Sequence, residues 1–149
     1  QIVRSPYYTY MRTEKKYGYI VFATPYPMID QGGLAFIVQS PTADSQTLFD
    51  ESQQFLQSYV SEIRNMSDED FAAHQQGLIT NLLKKPLNLK EKSNKFWSEI
   101  DRDNTQFNTQ QTLADFISEL DKETVANYLE QHVLADTSKA LFLHYDGQK

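Results

Sequence analysis

The chain of 149 residues contains no cysteine, which excludes disulfides and thiolate metal sites and leaves the redox state of its compartment unmarked. Histidine is nearly as scarce, and the three present, His74, His132 and His144, are scattered, as surface or core histidines usually are. No apolar run approaches the ~20 residues that a helix needs to cross a bilayer, and the first residues lack a signal-peptide pattern. Repeats and low-complexity tracts are absent too. What the chain does have is a hydrophobic fraction of 40%, ordinary for a globular protein with a real core, and nine tyrosines beside nine phenylalanines.

Charge and tyrosine are concentrated at one end. Residues 1–20 carry Arg4, Arg12, Lys15 and Lys16 against Glu14, so this segment is +3 in a chain of −6 and the remainder is −9. Tyr7, Tyr8, Tyr10, Tyr17 and Tyr19 lie in the same stretch. Basic residues interleaved with aromatics resemble a surface for single-stranded nucleic acid. The acidic remainder repels phosphate and no RNA-binding motif accompanies the tyrosines, so nucleic acid is not the expected partner. A second basic group, Lys84, Lys85, Lys90, Lys92 and Lys95, is interrupted by Glu91 and reads as solvated helix ends.

The pattern along the chain predicts an α+β fold. Ser5 suits an N-cap and Pro6 the first helical position, while Gly18 suits a left-handed helix terminator. Strands are expected at about Tyr19–Thr24 and Leu34–Gln39, paired antiparallel across the loop PYPMIDQGG. Leu48, Phe55, Leu56, Tyr59, Val60 and Ile63 recur at helical spacing and predict a helix packed on that sheet. Ser67 with Asp70 opens the next helix, carrying Phe71, Leu78, Leu82 and Leu83 until Pro86 prevents its continuation. Another helix over Lys90–Ile100 is expected to bury Phe96, Trp97 and Ile100. Asp103, Asn104 or Thr105 supplies loop and cap chemistry before a helix with Leu113, Phe116, Ile117 and Leu120. Asp121 is expected to cap a last helix through Val125, Leu129 and Val133, and Ala140–Tyr145 reads as a closing strand. Asp101–Thr112 is not an EF-hand loop, since Gln106 and Thr112 stand where that loop needs Gly and Glu.

The most specific segment is Arg12–Val21, RTEKKYGYIV. With the preceding SPYYTYM, with GLAFIVQS at Gly33–Ser40 and with Met66–Ile100, it resembles the fourth, C-terminal domain of the pitrilysin and insulin-degrading-enzyme family of zinc metallopeptidases. Met11 stands where that family more often has Leu. The resemblance extends over nearly all of the chain and implies a single domain over residues 1–149. The resemblance implies the larger C-terminal part of a pitrilysin-like domain, with a small, mainly antiparallel sheet and several helices on one face. The opening QIVRSPYY looks cut from a longer chain.

The same resemblance implies catalytic and substrate-binding roles for Arg12 and Tyr19, reaching a zinc site built by another domain. A phenol O–H or a guanidinium can stabilise negative charge developing on a peptide carbonyl oxygen, and Arg offers a planar fork that Lys lacks. The alternative is structural, with Arg12 paired to Glu14 or another neighbour and Tyr19 opening a buried strand. The family's HxxEH zinc motif is missing. His74 is followed by QQGL, His132 by VLAD and His144 by YDGQ. Zinc is therefore expected in the full-length enzyme and not on this fragment, which is expected to be inactive alone. Its expected partners are an N-terminal zinc-binding half and short or unfolded peptides. A periplasmic location is favoured by the likeness to bacterial pitrilysin, with the cytoplasm the alternative. The rival function is a non-catalytic structural or partner-binding paralogue of the same superfamily.

Overall fold

The computed structural model describes residues 1–26, 32–135 and 140–145. Its elements, in order, are α1 (Arg4–Tyr8), continued by a π-helical segment (Thr9–Glu14), then β1 (Ile20–Pro25), β2 (Leu34–Gln39), α2 (Ser45–Asn65), α3 (Asp68–Leu82), α4 (Leu89–Ile100), α5 (Thr109–Glu119) and α6 (Lys122–Tyr128), which runs into a second π-helical segment (Leu129–Leu134). The architecture is α+β. Residues divide into two compact units, one of 1–65 with 123–149, the other of 66–122.

In the first unit, β1 and β2 pair antiparallel with Ile20 opposite Gln39 and Pro25 opposite Leu34. Strand periodicity places Val21 and Ala23 inward, while Ile20 and Phe22 face out. The inner face meets Tyr7 and Met11 from the first helix and the Phe55, Leu56, Tyr59, Val60 and Ile63 stripe of α2, all buried. Ala126 and Leu129 close the same core. Tyr7 packs edge-on against Phe36 and Phe55, at 4.9 and 5.3 Å between ring centroids, and its hydroxyl meets Ser52 Oγ at 2.9 Å. A buried phenol needs such a partner, and Tyr59 has one in the carbonyl of Ile2 at 3.0 Å.

The first helix departs from expectation at both ends. It starts at Arg4 rather than after Ser5, with Val3 as N-cap, because the first turn is already closed by the Tyr7 amide on the Val3 carbonyl. Pro6 is tolerated there since the amides of a first turn have no helical partner. At the other end the left-handed residue is Lys16, with φ of 57°, and no glycine has positive φ among the described residues. Gly18 is needed for space instead: a Cβ there would be driven into the carbonyl of Gln39. Tyr19 lies one residue before β1.

Within the second unit, Ser67 caps α3 by accepting from the Asp70 amide at 3.1 Å, as its sequence predicts. Gln75 of α3 donates to the carbonyls of Ile117 and Leu120, both at 2.7 Å, and so satisfies the C-terminus of α5. The expected burial of Phe96, Trp97 and Ile100 is not found; they are 44, 60 and 48% exposed. The inward position on α4 belongs to Glu99, whose carboxylate accepts from Thr109 Oγ1 at 2.6 Å and Asn104 Nδ2 at 2.7 Å at the start of α5. Satisfying those polar groups turns the aromatic side of α4 outward. Residues 101–108 are loop, with Asp103 and Phe107 in the left-handed region, but the N-cap position of α5 is Asn108, which makes no side-chain cap bond, rather than Asp103, Asn104 or Thr105.

Ala140–Tyr145 forms no strand. Leu141, Leu143 and Tyr145 are largely exposed, while the Phe142 ring lies 5.0 Å from that of Phe49 and stacks on His144. A strand is stabilised by a partner ladder, and the paired strands described are β1 and β2 alone. The hairpin loop expected over Pro25–Gly33 lies partly outside the described residues; Tyr26 N–H reaches the Gly33 carbonyl at 2.8 Å at its base.

Candidate functional site

The π-helical segment determines which side chains converge. Its wider turn is marked by the Lys15 amide donating to the Tyr10 carbonyl at 2.9 Å, and the chain then reverses through Lys16 as the Tyr17 amide donates to Met11 at 3.0 Å. Tyr8 and Arg12, four residues apart, share one side of this helix. The guanidinium carbon of Arg12 is 5.0 Å from the Tyr8 ring centroid and 5.7 Å from that of Tyr19, so the cation sits over both aromatic faces. Tyr19 is 84% exposed. Among the described residues Arg12 forms no ion pair, with Glu14 or any other carboxylate. The structure thus brings the two predicted site residues together, the Tyr19 side chain exposed and Arg12 partly buried beside it.

Behind this pair stands a residue that carries no sequence signal. Glu51, on α2, accepts from the hydroxyls of Tyr10 at 2.8 Å and Tyr17 at 3.1 Å, and pairs with Lys15, whose Nζ lies 3.1 and 2.9 Å from its two oxygens. The Glu51 side chain is 17% exposed. Hydrogen bonding by Lys15 holds the Glu51 carboxyl below the usual range, and Glu51 in turn raises Lys15. Tyr10 and Tyr17 are pushed up, first by burial and then by the neighbouring carboxylate. Lys15 also lies 5.1 Å from the Tyr10 ring centroid.

Comparison with known proteins decides the family. The family described as PQQ synthase PqqF-like, C-terminal lobe domain 4, matches residues 1–97. The chain belongs to the insulinase (pitrilysin) family as a C-terminal-lobe domain. Protease 3 of Escherichia coli (strain K12) is 30% identical over 149 residues, which is 100% of this chain and 16% of that protein. The putative zinc protease mug138 of Schizosaccharomyces pombe is 30% identical over 151 residues, again 100% of this chain and 16% of the relative. A crystal structure of pitrilysin superposes with a TM-score of 0.82 at 28% identity, covering 99% of this chain and 17% of that one. The chain spans about a sixth of the length of these relatives.

In this insulinase-family domain, the histidines are not gathered. His74 is exposed on α3, His132 lies with its ring 4.9 Å from that of Tyr128, and His144 stacks on Phe142. Among the described residues no three His, Cys, Asp or Glu side chains converge where a metal ion would sit. No helix among the described residues is long and apolar enough to cross a membrane.

Proposed function

We propose that this domain forms the non-zinc wall of a peptidase active site, completed by a zinc-binding half of the full-length protein and acting on short or unfolded peptides. The carrying observation is the Arg12 guanidinium poised over the exposed Tyr19 ring without a carboxylate to neutralise it. An exposed phenol beside an uncommitted cation is suited to an oxygen that gains negative charge. Zinc in the facing half would supply activated water. Tyr19 donates its O–H to the carbonyl oxygen of the scissile peptide, and the hydrogen bond strengthens as charge develops there. Arg12 orients the neighbouring substrate carbonyl through its planar fork, and its charge favours the ionised oxygen over the neutral one. A donor of this kind is typically worth about 3 kcal/mol of barrier. The names of the similar proteins, Protease 3 and a putative zinc protease, support the reaction class.

Steady-state kinetics of the full-length protein test the reading. Arg12→Lys keeps the charge and loses the fork, so kcat/KM should fall about tenfold or more. Tyr19→Phe should lower kcat more than it raises KM, because the lost bond belongs to the transition state. Unchanged constants in both variants would leave the pair a surface feature of a non-catalytic scaffold.

A further inference from the structure

We propose that Glu51 is the positioning residue for Arg12 and Tyr19, acting through the turn that separates them. The inference rests on the reading of those two residues as substrate-contacting.

The chain between Arg12 and Tyr19 reverses at Lys16, whose φ of 57° is unfavourable for a residue with a Cβ. A non-glycine residue stays in that region only when its surroundings hold it there. The Tyr17 amide on the Met11 carbonyl holds the backbone across it, and Glu51 adds a side-chain clamp. Its carboxylate takes Lys15 on one side of the reversal and Tyr17 on the other, closing a ring that spans Lys16, while Tyr10 ties the same carboxylate to the helix one turn before Lys15. Beyond Tyr17 the chain has little freedom: Gly18 lies against the Gln39 backbone and Ile20 is already paired with Gln39. Tyr19 therefore projects an exposed side chain from a backbone fixed on both sides, and Arg12 meets it from the helix that Glu51 also grips. The attachment of the first helix to α2 does not depend on Glu51, since Tyr7, Met11 and Phe55 are buried together and Tyr7 is bonded to Ser52. What Glu51 adds is the geometry of residues 15–17.

The test uses the full-length protein with an unfolded peptide substrate and compares Glu51→Gln, Tyr19→Phe and the double variant. Glu51→Gln removes the charge and turns one oxygen into a donor, so the three-donor arrangement is lost. Its kcat should fall about tenfold while KM stays within about twofold, since misplacement of a reacting group by a fraction of an ångström carries costs of this order. Because Glu51 acts through Tyr19 as well as Arg12, adding Glu51→Gln to Tyr19→Phe should cost clearly less than the product of the two single losses. A normal kcat in Glu51→Gln beside a depressed one in Tyr19→Phe overturns the positioning role alone, as do losses that multiply in the double variant. A normal kcat in Tyr19→Phe overturns the underlying reading, and the positioning role with it. Should Glu51→Gln fail to fold, Tyr17→Phe, which deletes one hydroxyl, makes the same comparison: a fall in kcat of about threefold supports the role and an unchanged kcat overturns it.

Discussion

Lys16 and Gly18 show how much of the site is decided by single backbone positions. Lys16 occupies a left-handed conformation that costs an L-residue roughly 1–2 kcal/mol, so Lys16→Gly should leave the fold intact and raise stability by up to about 1 kcal/mol in chemical denaturation. The opposite holds at Gly18. Its φ is ordinary, yet a Cβ would meet the Gln39 carbonyl, and Gly18→Ala should destabilise by about 1–3 kcal/mol through strain where the turn joins β1. A glycine after a helix reads in the sequence as a terminator, and here that reading names the right residue for the wrong reason: the close approach of β2 is a long-range fact that no local pattern carries. Tyr19 differs from both. Its side chain is exposed, so Tyr19→Phe should move unfolding free energy by no more than about 0.5 kcal/mol, which separates any effect on turnover from an effect on folding.

At the scale of elements, the α2 stripe was legible because its residues recur at helical spacing: of the six predicted, five are buried, and Leu48 is partly buried against the same core. Ile63, with no exposure, anchors it, and Ile63→Ala should cost about 2–5 kcal/mol in an equilibrium unfolding measurement. The same rule fails on α4, where the Glu99 carboxylate, needed by Thr109 and Asn104, takes the inward position and leaves Phe96, Trp97 and Ile100 exposed. Apolar spacing predicts a face; a polar requirement from the loop and helix that follow can rotate it. Ala140–Tyr145 fails for a related reason, since strand chemistry without a partner strand gives no ladder. Glu51 was silent in the sequence because its donors lie 34 to 41 residues away. Its link between the first helix and α2 is acid-sensitive. The folded-state carboxyl is held below the ordinary Glu value near 4.3, so its stabilising contribution is present above about pH 4.3 and is lost as pH falls through the lower folded-state value. Melting temperature followed from about pH 6 down to 3 should drop less steeply in Glu51→Gln than in the native protein.

For the whole molecule, the chain supplies an α+β scaffold, and the relatives it resembles are about six times longer. The proposed chemistry belongs to the full-length protein: in that proposal this domain offers Arg12 and Tyr19 as donors, and among its described residues there is no cluster to hold a metal. On that account the purified domain cleaves no peptide, and chelator-sensitive cleavage by it would contradict the division of labour. Arg12 and Tyr19 were legible as candidates from the RTEKKYGYIV segment, while their mutual geometry, with the cation over the ring, emerged only from the turn at Lys16. The most direct test of the central claim is the single-turnover cleavage rate of full-length Tyr19→Phe with saturating unfolded peptide. The account predicts a fall of about 100-fold, the typical cost of removing one transition-state donor, with peptide affinity nearly unchanged. A rate equal to that of the native protein would contradict it.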